Sequence, residues 1–301
     1  MRAAPASFAQ TGLAIEIGPA VFNPGLPVLG GCAVENLFGA VHEIEAHGSI
    51  RLFRGDDWLL GAAAVEVTPT TLEASAHSLY AQLCAVTSGR HLARIWNYVP
   101  DINGTGVGGL ENYRAFCRGR SLAFERAHGA GFSQLLPSAS AVGCQDGRLT
   151  IAFAASAVPP QHYENPLQVP AYHYPEQYGP RPPSFARATG VPRAGREPAV
   201  FISGTAAIRG HATMAPESTA DQLACTLENL RAISRVCGLG ENLAAGVRTR
   251  HFKVYLRHAE DYAAMAAALA EELFTAHDHV SYVRAEICRA SLKVEIEATL
   301  L

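Results

Sequence analysis

The clearest alternation of apolar and polar positions lies in the second half of the chain. Phe252, Val254 and Leu256 alternate with Lys253, Tyr255 and Arg257. Val283, Ala285 and Ile287 alternate with Tyr282, Arg284 and Glu286, and Leu292, Val294 and Ile296 with Lys293, Glu295 and Glu297. A period of two belongs to strands with one buried face, so three half-buried strands are expected here, the last two closing as a hairpin. Leu223, Leu227, Leu230 and Ile233 recur instead at helical spacing, from a capping-box-like Ser218 and Asp221 to a stop at Gly238 and Gly240. With two short strands over 199–211 and an alanine-rich helix over 259–275, the order is ββαβαββ.

The first half repeats that order without visible sequence identity. Strands are expected over 49–53 and 58–67 around an Arg54-Gly55-Asp56-Asp57 turn, then a helix over 71–87 and a strand over 92–99. A helix over 110–126 and two strands around the Asp146-Gly147 turn complete it, the last covering 149–155. The fold class is therefore α/β (α+β), with two ββαβαββ halves packed together over 1–155 and 199–301. Between them, 156–198 holds ten of the 18 prolines and the tyrosines 163, 172, 174 and 178. Little regular structure is expected there, and so long a segment rich in aromatics and arginine reads as an ordered functional loop.

A chain of 301 residues, 49% hydrophobic and 17% charged, can bury one large or two ordinary cores. Its net charge of -3 provides no basic field, which excludes a dedicated nucleic-acid or anionic-membrane binder. Of the 24 basic residues only Lys253 and Lys293 are lysines. That arginine excess reflects either genome composition or planar carboxylates to be gripped by guanidinium forks. The seven cysteines are scattered without a C-x-x-C pair, which disfavours a disulfide framework and a zinc ribbon. No signal-peptide order is present, and the longest apolar stretch, 263–270, is too short to span a bilayer. A cytoplasmic protein is expected.

Two motifs carry less than they first suggest. Gly104-Thr-Gly106-Val-Gly-Gly109 matches the dinucleotide fingerprint, but Pro100-Asp101-Ile102-Asn103 separates it from the preceding strand, so a loop near a site is the better reading. His42-Glu43-Ile44-Glu45-Ala46-His47 has one residue too many between its histidines for a zinc-protease helix and reads as a solvated segment. The polar face shared by Lys253, Tyr255, Arg257, Lys293, Glu295 and Glu297 is either solvent surface or an anion-binding wall with a proton donor, and Cys288 would sit beside it.

Phe201-Ile-Ser203-Gly204-Thr205, Gln222 with 227–233, Lys253-Val-Tyr255-Leu256 and Val294-Glu295-Ile296-Glu297-Ala298 resemble the YjgF/RidA superfamily over the last hundred residues. Its imine-deaminase members carry a substrate-gripping arginine where this chain has a position near Val280. Ile95-Trp96-Asn97-Tyr98-Val99-Pro100-Asp101-Ile102-Asn103, 110–120, Asn165 to Pro175, Tyr178-Gly179-Pro180-Arg181 and Ser184-Phe185-Ala186-Arg187 resemble the chorismatases from about residue 50 onward.

That resemblance implies that chorismate is the substrate and that no metal or organic cofactor is used. It makes Glu295 the general acid that protonates the enolpyruvyl methylene. Cys288, seven residues earlier as in the aromatising class, would steer the intermediate toward 3-hydroxybenzoate. Tyr113, Arg120, Arg181, Arg187, Lys253 and Tyr255 would bind the carboxylates and hydroxyl, and Ala206 lies in a segment that varies with product. Hydrolysis to a dihydroxy-cyclohexadiene acid, or mixed 3- and 4-hydroxybenzoate formation, stays open as the product. A RidA-like imine deaminase and a non-catalytic aromatic-acid-binding module also remain open. Two such halves in one chain could replace the contacts of a trimer, which would allow a monomer.

Overall fold

A computed structural model describes residues 12–55 and 57–301. The expected turn at 54–57 includes Asp56 and so falls partly outside the described residues. Four short strands come first: β1 (Ala14–Ile17), β2 (Ala20–Phe22), β3 (Val28–Gly31) and β4 (Val34–Glu35). The first half then runs β5 (His42–His47), β6 (Ile50–Arg54), β7 (Trp58–Glu66), α1 (Leu72–Val86), β8 (His91–Pro100), α2 (Asn112–His128), β9 (Ser138–Cys144) and β10 (Arg148–Ser156). After β11 (Gln161–Tyr163) and a long irregular segment come β12 (Ala188–Arg193), β13 (Arg196–Ala206), the small hairpin β14 (Ile208–Arg209) and β15 (Ala212–Thr213), and α3 (Thr219–Val236). The chain closes with β16 (Arg250–Leu256), α4 (Tyr262–Glu272), β17 (His279–Arg284) and β18 (Val294–Leu300).

The repeat is visible in the strand order. One sheet is ordered β5-β6-β7-β10-β8-β9 and the other β11-β12-β13-β18-β16-β17-β3. Within them β6-β7-β10-β8-β9 and β12-β13-β18-β16-β17 share the same connectivity, with one parallel pair each, β8 with β9 and β16 with β17. Helices α1 and α2 cover the outer face of the first sheet through Leu79, Leu83 and Phe116, packed on Ile95, Ile151 and Phe153. Helices α3 and α4 cover the second through Leu223, Leu227 and Leu269, packed on Val254, Ile296 and Leu300. As expected, Ser218 caps α3, accepting from the Asp221 amide at 3.2 Å.

The inner faces of the two sheets pack on each other through Trp58, Leu60, Trp96, Phe201, Tyr255 and Val283. The strand at 252–256 is therefore buried on both faces. Lys253 is 2% exposed, because a second sheet lies where the periodicity allows solvent. The closing hairpin does not form: β16 lies between β17 and β18, pairing with both. Regular structure also enters the proline-rich segment, since β12 supplies the first strand of the second repeat. Its Pro192 sits at a register shift between Val191 and Arg193, where the ladder needs no donor. The two strands expected over 199–211 become one long strand, β13, and the β14–β15 hairpin.

His42–His47 is a largely exposed edge strand, not a helix. No group of metal-binding residues and no helix long and apolar enough to cross a membrane occur among the described residues. Strand β3 leaves its own half and extends the second sheet, pairing antiparallel with β17 (Ser281 with Gly31, Val283 with Val28).

Candidate active site

Glu295 opens onto a cavity of about 540 Å³, within the roughly 300–1,000 Å³ typical of small-molecule sites. Strand β18 sets it there: Glu295 lies opposite Ala206 of β13 on one side and Tyr255 of β16 on the other. The β13 ladder shifts between Ile202 and Thr205, and a Cβ at Gly204 would come within 2.0 Å of Glu295 Oε1. Only glycine lets the carboxyl lie across the neighbouring strand. Glu295 is 3% exposed. Burial, and next the negative charge of Glu297, raise its pKa to about 8 against the weaker opposing pull of Arg94 and Arg187. At neutral pH it is mostly a neutral acid with a proton to give.

Glu297, two residues along the same face, has the opposite fate. It accepts from Arg94 Nη2 at 2.7 Å, Ser140 Oγ at 2.6 Å and Tyr255 Oη at 3.0 Å on one oxygen, and from Trp96 Nε1 at 2.9 Å on the other. Lys253 Nζ lies 2.9 Å away and also binds Glu35 of β4 at 2.8 Å and the Tyr98 hydroxyl at 3.1 Å. Burial alone would raise the Glu297 pKa, but Lys253 and Arg94 outweigh it and hold the group ionised. Two carboxyl groups on one strand are thus driven to opposite protonation states, the arrangement by which a site keeps an acid ready at neutral pH.

The cavity wall facing Glu295 is built of cations stacked on aromatic rings. Arg187 donates Nη2 to the Tyr174 hydroxyl at 2.8 Å and the Val169 carbonyl at 3.1 Å, with its guanidinium 5.1 Å from the Phe185 centroid. Its buried Nε has no hydrogen-bond partner among the described residues, with Glu164 Oε2 4.0 Å away. Arg289 donates Nη1 to the His211 carbonyl at 2.8 Å and lies 4.1 Å over the Tyr178 ring and 5.3 Å from that of Tyr174. Glu111 and Tyr113 at the start of α2, together with Cys288, close another side. Burial raises the Tyr113 phenol well above its ordinary pKa and the Cys288 thiol to about 12, so both are neutral at physiological pH. The glycine-rich segment 104–109 is the loop leading into this end of α2, as its spacing predicted.

Of the residues singled out in the sequence, Glu295, Cys288, Tyr113, Arg187 and Ala206 meet at this cavity. Arg120, Arg181, Lys253 and Tyr255 have no surface on it. Arg120 is buried behind Tyr113, donating to Cys117 Sγ at 3.8 Å and stacked 5.0 Å from Phe116. Arg181 pairs with Glu125 at 2.7 Å. Lys253 and Tyr255 are committed to Glu297. The part of this sheet face that carries Lys253, Tyr255 and Glu297, read as either solvent surface or an anion-binding wall, is instead a sealed junction between the two sheets.

Arg289, Tyr174 and Tyr178 also line the cavity, and the sequence reading did not single them out as site residues, although Arg289 follows Cys288 directly and the tyrosines stand inside signature segments. Arg257 was placed on the wrong surface. Beyond the end of β16 it donates to the carbonyls of Leu292, Ile287 and Arg289 and to Asn103 Oδ1, at 2.7–3.2 Å. Gln222 adds bonds to the Ser291 carbonyl and the Lys293 amide, each 2.8 Å. These side chains fix the loop that presents Cys288 and Arg289.

Comparison with known proteins bears on this geometry. A family profile described as Chorismatase FkbO/Hyg5-like, N-terminal, matches residues 38–155. A 3-hydroxybenzoate synthase of Streptomyces hygroscopicus is 39% identical over 220 residues, which cover 69% of this chain and 63% of that protein. A chorismatase of Streptomyces rapamycinicus is 36% identical over 271 residues, covering 86% and 79%. A chorismatase crystal structure at 1.08 Å resolution superposes with a TM-score of 0.79 at 28% identity, covering 99% of this chain and 96% of that one.

Proposed function

The chain belongs to the chorismatase family, and from that premise we propose that it is an enzyme converting chorismate to 3-hydroxybenzoate and pyruvate. The observation that carries this reading is Glu295, a buried carboxylic acid on a cavity wall, protonated at neutral pH and faced by two arginines. Breaking the bond between ring and enolpyruvyl group requires a proton on the enol-ether methylene, which a positioned neutral acid can deliver. Arg187 and Arg289 suit the two substrate carboxylates, and their stacked tyrosines hold both forks in place before substrate arrives.

After protonation the ether carbon is cationic and Glu295 carries the negative charge. Departure of pyruvate then leaves alternative outcomes for the ring. Loss of the proton from the hydroxyl-bearing ring carbon alone would give 4-hydroxybenzoate. For 3-hydroxybenzoate that hydroxyl closes its oxygen onto the cationic carbon with loss of its proton, and the epoxide reopens at its other carbon, regaining a proton on oxygen as the adjacent ring proton is lost, with no net uptake of water. Attack by water instead gives the dihydroxy-cyclohexadiene acid. A thiol held neutral by burial is neither base nor nucleophile at pH 7. Its service is to fill the wall of the cavity with a weakly polar group that keeps water from the cation.

Incubation with chorismate should release equimolar pyruvate and 3-hydroxybenzoate, read by chromatography against 3- and 4-hydroxybenzoate and the dihydroxy acid. Chorismate that binds without being consumed would refute the assignment. Cys288→Ala makes room for water, so the share of dihydroxy acid should rise roughly tenfold, the scale on which one pocket group discriminates. A product ratio identical to that of the parent would remove Cys288 from the mechanism.

A further inference from the structure

A second cavity, about 760 Å³, lies at the other end of α2. The catalytic cavity takes Glu111, Tyr113 and Arg114 from the start of that helix, whereas this one takes Ala123, Arg126 and His128 from its last turns. The helix has 17 residues, which at 1.5 Å per residue separates the two ends by about 25 Å. No single small molecule spans both.

Arg90, His91, Arg126, His128 and His162 line the second cavity, and no aspartate or glutamate does. In a chain where most arginines are paired with carboxylates or carbonyls, the guanidinium groups of Arg90 and Arg126 have no hydrogen bond or ion pair among the described residues. His162 sets its Nδ1 3.1 Å from Thr189 Oγ1. Burial, with His91 nearby, keeps its ring neutral at physiological pH, so the other ring nitrogen is free to bond a hydroxyl. The remaining lining is mostly apolar, including Leu92, Leu135, Pro159 and Pro160, with Thr87, Ser88 and Gln134 among it. Two uncommitted planar forks beside a mostly apolar lining match a ligand with a carboxylate at one end and a ring at the other.

We propose that this cavity is a second binding site, distinct from the catalytic one, for an aromatic carboxylate. The inference does not depend on the reaction assigned above. 3-Hydroxybenzoate serves as the probe because it carries a carboxylate, a ring and a hydroxyl.

Calorimetric titration of the full chain with 3-hydroxybenzoate tests it. Two sites per chain are expected. The double variant Arg90→Ala/Arg126→Ala should lose one of them, its affinity falling by at least about tenfold with two charge-assisted contacts gone, while chorismate turnover is unchanged. Arg187→Ala should lose the other. A parent whose only site up to about 1 mM ligand is kept by the double variant, or two sites of unaltered affinity in the double variant, would overturn the proposal; a single site that the double variant loses would support it and count against the catalytic reading alone. So would inorganic phosphate binding as tightly as the aromatic acid, which would mark an unspecific anion site. Basic side chains near a helix C-terminus also complement its dipole. If that is their whole role, the double variant melts lower and keeps both sites, which again overturns the proposal.

Discussion

Glu295→Gln should lower chorismate turnover by about 10³-fold, the scale of a lost general acid, and leave the fold intact. The reason for the second half lies in the protonation state. A neutral acid in a buried site is already close in charge and shape to a glutamine, so the substitution introduces no new buried charge and removes only the transferable proton. The melting temperature should stay near that of the parent, and binding of 3-hydroxybenzoate at the catalytic cavity should persist. Undiminished pyruvate release by this variant would refute the assignment of the acid.

The same group sets a pH dependence in the parent. The active form is protonated and its pKa is about 8. Activity limited by this acid is therefore flat through neutral pH and falls about tenfold per unit above the pKa. A rate that instead rises through that window would identify Glu295 as a base.

The second large effect concerns Lys253→Met. Lys253 is the cation shared by Glu35 and Glu297 in the sealed junction between the sheets. Removing it leaves Arg94 as the main counter-charge to two buried carboxylates. Breaking a buried pair on one side costs about 3–5 kcal/mol, because the remaining charge has lost its compensation and gained no water. For a chain of this size that is a fall of roughly 10 °C in melting temperature. Adding Glu35→Gln removes one stranded charge and should restore more than half of the loss. A double variant no more stable than Lys253→Met would show that the cost arises from packing around the lost ammonium.

The order of elements was legible because each repeat strand carries its own alternation and α3 its own caps, which are local signals. What lies between the sheets was not. Whether the polar side of 252–257 meets solvent, substrate or a second sheet depends on tertiary packing, and the pattern of Lys253 and Tyr255 is the same in all three cases. Glu295 and Cys288 could be found because the resemblance gives their roles and spacing. Arg120 and Arg181 sit in equally recognisable segments, yet one faces the core and the other a surface glutamate, since a motif fixes position along the chain and not the partner of a long side chain. Glu35 stands in a two-residue strand whose sequence has no detectable period, and only its contact with Lys253 gives it meaning.

Strand β3 has a consequence for how the molecule is made. Its hydrogen-bonding partner, β17, follows it by about 250 residues, so the early strand waits on the ribosome with an unpaired edge while that stretch emerges. Pairing between segments so distant in sequence is slow, and a waiting edge invites pairing with other chains. Glu35 shares that delay, because it reaches Lys253 only once the second sheet exists. Seating of the segment that carries β3 and Glu35 would then follow formation of the second sheet, extending that sheet and neutralising a buried charge in one event.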